Sequence, residues 1–154
     1  MFSLRLATAD DQRAIRALIH QAQINPTGLN WRRFLLAVDE DNRVIGCGQI
    51  KPHRDGSREL ASIAVAPDWR DQGVARRLIE RLFEENTGRV YLTCREELGA
   101  LYARFGFHIA GWDEMTPYFK RLAYLAEIIR RLHLLPGRML VMVRDGEGVS
   151  FIER

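Results

Sequence analysis

Residues 63–77 constrain this chain more than any other stretch. They read Ile63-Ala64-Val65-Ala66-Pro67-Asp68-Trp69-Arg70-Asp71-Gln72-Gly73-Val74-Ala75-Arg76-Arg77, an apolar run, a short charged loop and then the start of a helix. A strand that feeds so directly into a helix places the helix N-terminus at the end of a sheet. The N–H groups of a first helical turn have no partner inside the helix, and the aligned peptide dipoles leave partial positive charge there. Phosphate binds readily at such an end. Gly73 and Ala75 are small enough to let an anion approach the main chain, and Arg70, Arg76 and Arg77 add positive charge. The plainer alternative is that Gly73 only eases a tight strand-to-helix turn.

The flanking sequence reads as alternating elements. Ser3 to Leu6 alternates like a short strand. Thr8 and Asp11 have capping-box spacing before a stripe of Ile15, Leu18, Ile19 and Ala22, which ends at Asn25-Pro26-Thr27-Gly28. Arg33–Val38, Arg43–Ile50 and Glu59–Ala66 are strand-like runs joined by Asp-rich and Gly-containing turns, which predicts an antiparallel meander. After Pro67 a helix carries Val74, Leu78, Ile79, Leu82 and Phe83 and stops near Thr87-Gly88. Arg89–Cys94 reads as strand, Leu98–Phe105 as helix and Phe107–Ala110 as strand. Thr116-Pro117 opens a helix that runs to about Leu135, with Thr as cap and Pro at its first position. Met139–Val143 is a further strand, and Asp145-Gly146 is a turn leading to a short last one. A right-handed crossover beside the meander makes the sheet mixed. Without repeats or linker-like stretches, residues 1–154 read as a single domain.

Composition narrows the class. The 154 residues are 47% hydrophobic and 28% charged, enough for an ordinary core and far from collagen-like, coiled-coil or disordered compositions. No apolar run approaches the roughly 18 residues of a membrane helix. The N-terminus lacks a signal-peptide core, and Cys47 and Cys94 lack CxxC spacing, so a reducing, cytoplasmic setting is expected. No His, Cys and Asp cluster has ligand spacing, so no metal is expected. A net charge of +3 does not by itself call for nucleic acid.

Two familiar phosphate loops are excluded. GxxxxGK[ST] is absent, and after Gly46-Cys47-Gly48 a dinucleotide fingerprint meets Lys51 in place of its third glycine. Those two glycines read instead as strand positions that allow close packing or a bulge. The 63–77 run does resemble the central motif of the GNAT superfamily of acetyl-CoA-dependent N-acetyltransferases. Arg70-Asp71-Gln72-Gly73-Val74-Ala75 matches [Q/R]-x-x-G-x-[G/A], and Leu101-Tyr102-Ala103-Arg104-Phe105-Gly106-Phe107 is like the family's Y-x-x-x-G-F segment. Both motifs occur in order at the expected interval, and the likeness covers about residues 3–112 well.

The resemblance implies an α/β fold, a single-domain mixed and mostly antiparallel sheet flanked by helices, here with an extra helix between the last strands. It implies acetyl-CoA as cosubstrate and transfer of its acetyl group to a primary amine by direct attack in a ternary complex. Ile63, Ala64 and Val65 would lie along the pantetheine arm. Arg70, Asp71, Gln72, Gly73, Val74, Ala75 and Arg76 would hold the pyrophosphate. Tyr102 matches the position that protonates the departing thiolate. A phenol with pKa about 10 holds its proton at neutral pH and can pass it to a thiolate of pKa near 8.5 when the local field helps. The plainer alternative for Tyr102 is a buried ring with its hydroxyl tied to a backbone group.

Glu59 is the leading base. It opens the strand that ends in the phosphate loop and shares a face with Ala61, Ile63 and Val65. Its alternative is a solvated strand start, and His53 and His108 are weaker candidates. A covalent route through Cys94 competes with a small buried hydrophobe at a strand end. A lysine amine is only about one part in a thousand neutral at pH 7, so a base matters most for such acceptors.

The 116–135 helix carries Phe119, Leu122, Ala126 and Ile129 as one stripe, broadened by Leu125, Ile128 and Leu132. It reads as a wall of the acceptor site, a homodimer surface, a membrane-surface helix or a plain amphipathic helix packed on the sheet. Around it Lys120, Arg121, Arg130, Arg131 and Arg138 face Glu127 alone. Asn25–Trp31 is the other segment expected to shape the acceptor site. The rival functions are a non-catalytic acyl-CoA-binding or regulatory module and a nucleic-acid binder using the late basic helix.

Overall fold

The meander forms as its turns dictate. In the computed structural model residues 1–146 are described, as two units: Met1–Lys51 with Leu60–Asn86, and Pro52–Glu59 with the chain from Thr87 onward.

In the first unit β1 (Ser3–Leu6), β2 (Phe34–Val38), β3 (Val44–Pro52) and β4 (Arg58–Val65) lie in that order. β1 and β2 are antiparallel with Leu4 opposite Ala37, and β2 and β3 are antiparallel with Leu36 opposite Cys47. The expected Thr8–Asp11 capping box closes a short turn before α1 (Gln12–Ala22). Ile15, Leu18 and Ile19 of α1 pack on Phe34, Leu36, Val38, Cys47 and Ala64. Burial of each large aliphatic side chain there contributes about 2 kcal/mol. The other face of the sheet meets α2 (Val74–Glu85), which buries Val74, Leu78, Ile79 and Leu82. Gly46 and Gly48 face this helix: a Cβ at Gly46 would stand 2.8 Å from Val74 Cγ1, and one at Gly48 2.5 Å from Ile63 Cδ1. Close packing, not nucleotide binding, explains the pair.

In the second unit β7 (Met139–Arg144) runs antiparallel between β5 (Val90–Arg95) and β6 (His108–Ile109). The first residues of β4 belong here, and Glu59 pairs in parallel with Tyr91 of β5. The second unit's order is thus β4-β5-β7-β6, with β4 and β5 parallel and the other pairs antiparallel. Between β5 and β6 stands the short α3 (Gly99–Ala103), and α4 (Pro117–Arg131) precedes β7. Phe119 of α4 is fully buried on Tyr91, Ala110, Val141 and Val143.

Several expected boundaries shrink for local reasons. α2 stops at Glu85 because Asn86 Nδ2 donates to the Leu82 carbonyl at 2.8 Å. α4 stops at Arg131, not Leu135, where His133 turns left-handed at φ 55° and its N–H returns to Arg130. Thr116 makes no side-chain cap bond; Asp55 Oδ2 accepts the Tyr118 N–H at 2.9 Å instead. α4 packs on the sheet through Phe119, Leu122 and Ala123, while Tyr124, Leu125, Ile128 and Leu132 stay exposed. The expected last strand lies outside the described residues. Among the described residues no helix is long and apolar enough to cross a membrane.

Candidate active site

In the first unit the loop after β4 turns helical at Pro67–Trp69 and then passes through two left-handed residues, Asp71 at φ 61° and Gly73 at φ 80°. Gly73 is the N-cap of α2, and among the described residues no side chain caps the first-turn N–H groups. A Cβ at Gly73 would meet nothing within 4 Å, so its positive φ is what calls for glycine. The exposed loop thus directs the N–H groups of Val74, Ala75 and Arg76 at an open approach, which fits a phosphate group. Gln72, Gly73, Arg76 and Arg77 also line a groove of about 610 Å³ with Phe2, Ser3 and Leu4.

The individual side chains are less uniformly available. Arg70 Nε folds back toward the Val65 carbonyl at 3.4 Å, Gln72 Nε2 donates to the Asp68 carbonyl at 2.9 Å, and Arg76 Nε pairs with Glu80 at 2.8 Å. Asp71 is exposed. Ile63 points its side chain at Gly48, Ala64 lies in the core beside α1, and Val65 is half-buried. What β4 can offer a ligand at 63 and 65 is therefore main chain.

Ser62 is the feature that sequence reading missed. Its φ of 59° is left-handed inside a strand, a conformation that costs about 1–3 kcal/mol. It interrupts the strict alternation on which a shared face for Glu59, Ala61, Ile63 and Val65 depended. The fully buried Gln49 braces this irregularity: its Nε2 donates to Ser62 Oγ at 2.9 Å and to the Gly28 carbonyl at 3.1 Å, while its Oε1 accepts from Arg33 Nε at 3.2 Å. Cys47 Sγ donates to the Ser62 carbonyl at 3.4 Å, and burial pushes its thiol up to about 12.

In the second unit Tyr102 lies on α3, half-buried, with its ring edge-on to Phe107 at 6.3 Å. Burial, with a smaller contribution from Cys94, holds the phenol above its ordinary value, so it keeps its proton. No described residue hydrogen-bonds its hydroxyl. Cys94 is buried and its thiol is also raised by burial, which disfavours the thiolate a covalent route needs.

Glu59 is 8% exposed, so it is not a solvated strand start. Its Oε2 lies 3.3 Å from His53 Nε2, and the His53 side chain is as buried as that of Glu59. The His53 ring stacks on Tyr118 at 3.7 Å and meets Phe119 edge-on at 5.6 Å. Burial, then the charges of Glu59 and Asp55, hold the Tyr118 phenol above its usual value. Nothing in the sequence links residues 53, 59 and 118; only the folded chain brings them together. His108 is exposed and paired with Glu114 at 2.8 Å. No group of His, Cys, Asp and Glu among the described residues could hold a metal ion.

The comparisons agree with this architecture. The family model described as an acetyltransferase (GNAT) domain matches residues 30–109, more than half of the chain. N-acetylglutamate synthase of Neisseria gonorrhoeae, solved with coenzyme A and N-acetyl-glutamate, superposes at TM-score 0.73 with 20% identity. That match covers 96% of this chain and 36% of the synthase, so the chain spans little more than a third of it. Rv2747 of Mycobacterium tuberculosis, in complex with CoA, gives TM-score 0.71 at 20% identity, covering 93% of this chain and 98% of its own. The ribosomal-protein-S18-alanine N-acetyltransferase of Escherichia coli gives 0.66 at 18% identity, covering 100% and 99%. No curated protein matches the sequence. With the strand order, the loop into α2 and the family match together, the chain belongs to the GNAT superfamily of acetyl-CoA-dependent acetyltransferases.

Proposed function

We propose that this chain is a single N-acetyltransferase domain, working in the cytoplasm, that moves the acetyl group of acetyl-CoA to a primary amine by direct attack in a ternary complex. The observation that carries the reading is the start of α2: a glycine in left-handed geometry, first-turn N–H groups with no side-chain cap, and an exposed approach. Val74, Ala75 and Arg76 offer N–H groups to the pyrophosphate, with Arg70, Asp71, Gln72 and Gly73 shaping the loop. Ile63, Ala64 and Val65 offer main chain to the pantetheine arm. Tyr102 gives its proton to the departing thiolate, and burial keeps the phenol protonated until then. Glu59 draws the proton from the incoming amine. A non-catalytic acyl-CoA-binding module needs neither a protonated Tyr102 nor a buried Glu59, and both are present.

The acceptor is approached through the neighbours. One is a synthase solved with N-acetyl-glutamate and another acts on an alanine of ribosomal protein S18. L-glutamate, an alanyl peptide, a lysyl peptide and simple alkylamines therefore make the test panel. The reading expects one class to gain an acetyl group, seen by mass spectrometry as CoA thiol appears in equal amount. Tight CoA binding without transfer to any acceptor contradicts it.

A further inference from the structure

His53 and Glu59 meet in a setting that a packing role does not explain. Each side chain is only 10% exposed. A carboxylate is an acceptor only, so the imidazole nitrogen facing it, Nε2 at 3.3 Å, carries the proton. That leaves the lone pair on Nδ1, and no described residue hydrogen-bonds it. Among the described residues the buried side-chain polar atom without a partner is Thr116 Oγ1, so Nδ1 is open to solvent and within reach of an incoming amine. The ring is also held in place. Tyr118 stacks on it with the planes 18° apart, and Phe119 meets it at 90°. Tyr118 is fixed in turn by its N–H to Asp55. Carboxylate, aromatic stack and helix cap thus orient one basic nitrogen.

We propose that His53 is the proton acceptor of the reaction and that Glu59 is its positioning residue, the two acting as a dyad. This rests on the N-acetyltransferase reading and changes how Glu59 serves it. The acceptor ammonium gives one proton to His53 Nδ1, and the resulting imidazolium is balanced by the Glu59 carboxylate. The neutral amine then forms the C–N bond to the thioester carbon, the C–S bond breaks, and the thiolate takes the Tyr102 proton. The amide nitrogen sheds its second proton to the tyrosinate, and the imidazolium releases its own to solvent. The sum is ammonium plus acetyl-CoA going to amide, CoA thiol and one proton. Imidazole titrates near neutrality, the range in which a general base is most useful. Among the described residues, Asp55, the Tyr118 phenol and Tyr91, which lies opposite Glu59 on β5, are charged or titratable groups beside the pair.

The test is the pH profile of kcat/KM for wild type, His53→Gln and Glu59→Gln, with acetyl-CoA and a lysyl peptide, an alanyl peptide and L-glutamate. Wild type should show an acidic limb that His53→Gln abolishes, with kcat/KM at pH 7 down about 100-fold and CoA affinity unchanged within about twofold. Glu59→Gln should move the limb to lower pH, because the imidazolium loses its counter-charge. An acidic limb that survives in folded His53→Gln overturns the dyad and leaves the acetyltransferase reading standing. A wild type that binds CoA yet acetylates none of these acceptors overturns both. NMR titration of His53 in the wild type needs no variant to fold: its titration must coincide with the acidic limb, and a His53 that titrates elsewhere overturns the proposal.

Discussion

Asp55 Oδ2 accepts the backbone N–H of Tyr118 at 2.9 Å, so a residue in the turn between β3 and β4 caps a helix 63 positions further along the chain. The same carboxylate accepts from the Ser57 N–H at 3.0 Å and the Ser57 hydroxyl at 2.5 Å. Burial works against ionisation, yet these bonds together hold Asp55 well below the usual carboxylate range.

Asp55→Ala should therefore cost about 1 kcal/mol of stability, the ordinary worth of a helix cap. The folded pKa is depressed, so the contribution is complete above the ordinary aspartate value near 3.9 and is lost only as pH falls below it. Urea denaturation of wild type and variant at pH 7 and pH 2 should show a gap at the first pH that narrows at the second.

The Arg5–Asp11 pair gives a second pH dependence. The guanidinium donates to both carboxylate oxygens, at 2.8 and 2.9 Å, and holds Asp11 at about 2, helped by Thr8 against the opposing effect of burial. With an unfolded value near 3.9, Asp11 contributes up to about 2 kcal/mol above pH 4 and loses it as pH falls through its folded pKa. Asp11→Ala should be less stable than wild type at pH 7 and nearly equal to it at pH 1.5, read from urea midpoints.

Gly46→Ala should loosen the packing of α2 on the sheet. Its Cβ would lie 2.8 Å from Val74 Cγ1, on a stiff β-branched side chain at the first position of α2, and 3.4 Å from Ala37 Cβ. Overpacking of this kind costs about 1–3 kcal/mol. Because Val74 opens the helix, CoA binding by calorimetry should weaken as the melting temperature falls. An unchanged melting temperature would show that α2 shifts without cost.

Gln49→Leu should destabilise by about 2–3 kcal/mol, since it strips partners from Ser62 Oγ, Arg33 and the Gly28 carbonyl at once. A thermal melt indistinguishable from wild type would contradict the bracing role assigned to Gln49.

Local features were the ones legible in the sequence. The Ile63–Arg77 run shows its strand, loop and helix start because apolar run, proline, glycine and stripe are contiguous. The same holds for the Thr8–Asp11 box and the Gly46 and Gly48 contacts. The left-handed Ser62 left no mark, since a serine in a strand carries no signal for positive φ. The His53, Asp55 and Tyr118 cluster was equally silent, because its members meet only through the path of the chain. Thr116 before Pro117 looked like its own cap, and a better-placed acceptor from a distant turn took that place.

The central claim is tested most directly by following CoA thiol release and amine acetylation together in wild type and Tyr102→Phe. The account predicts equal amounts of thiol and acetylated amine from the wild type. It predicts a fall in kcat of about 100-fold in the variant, with CoA affinity unchanged because the ring and its contact with Phe107 remain. A Tyr102→Phe enzyme with wild-type kcat, or a wild type that binds CoA and transfers nothing, would contradict it.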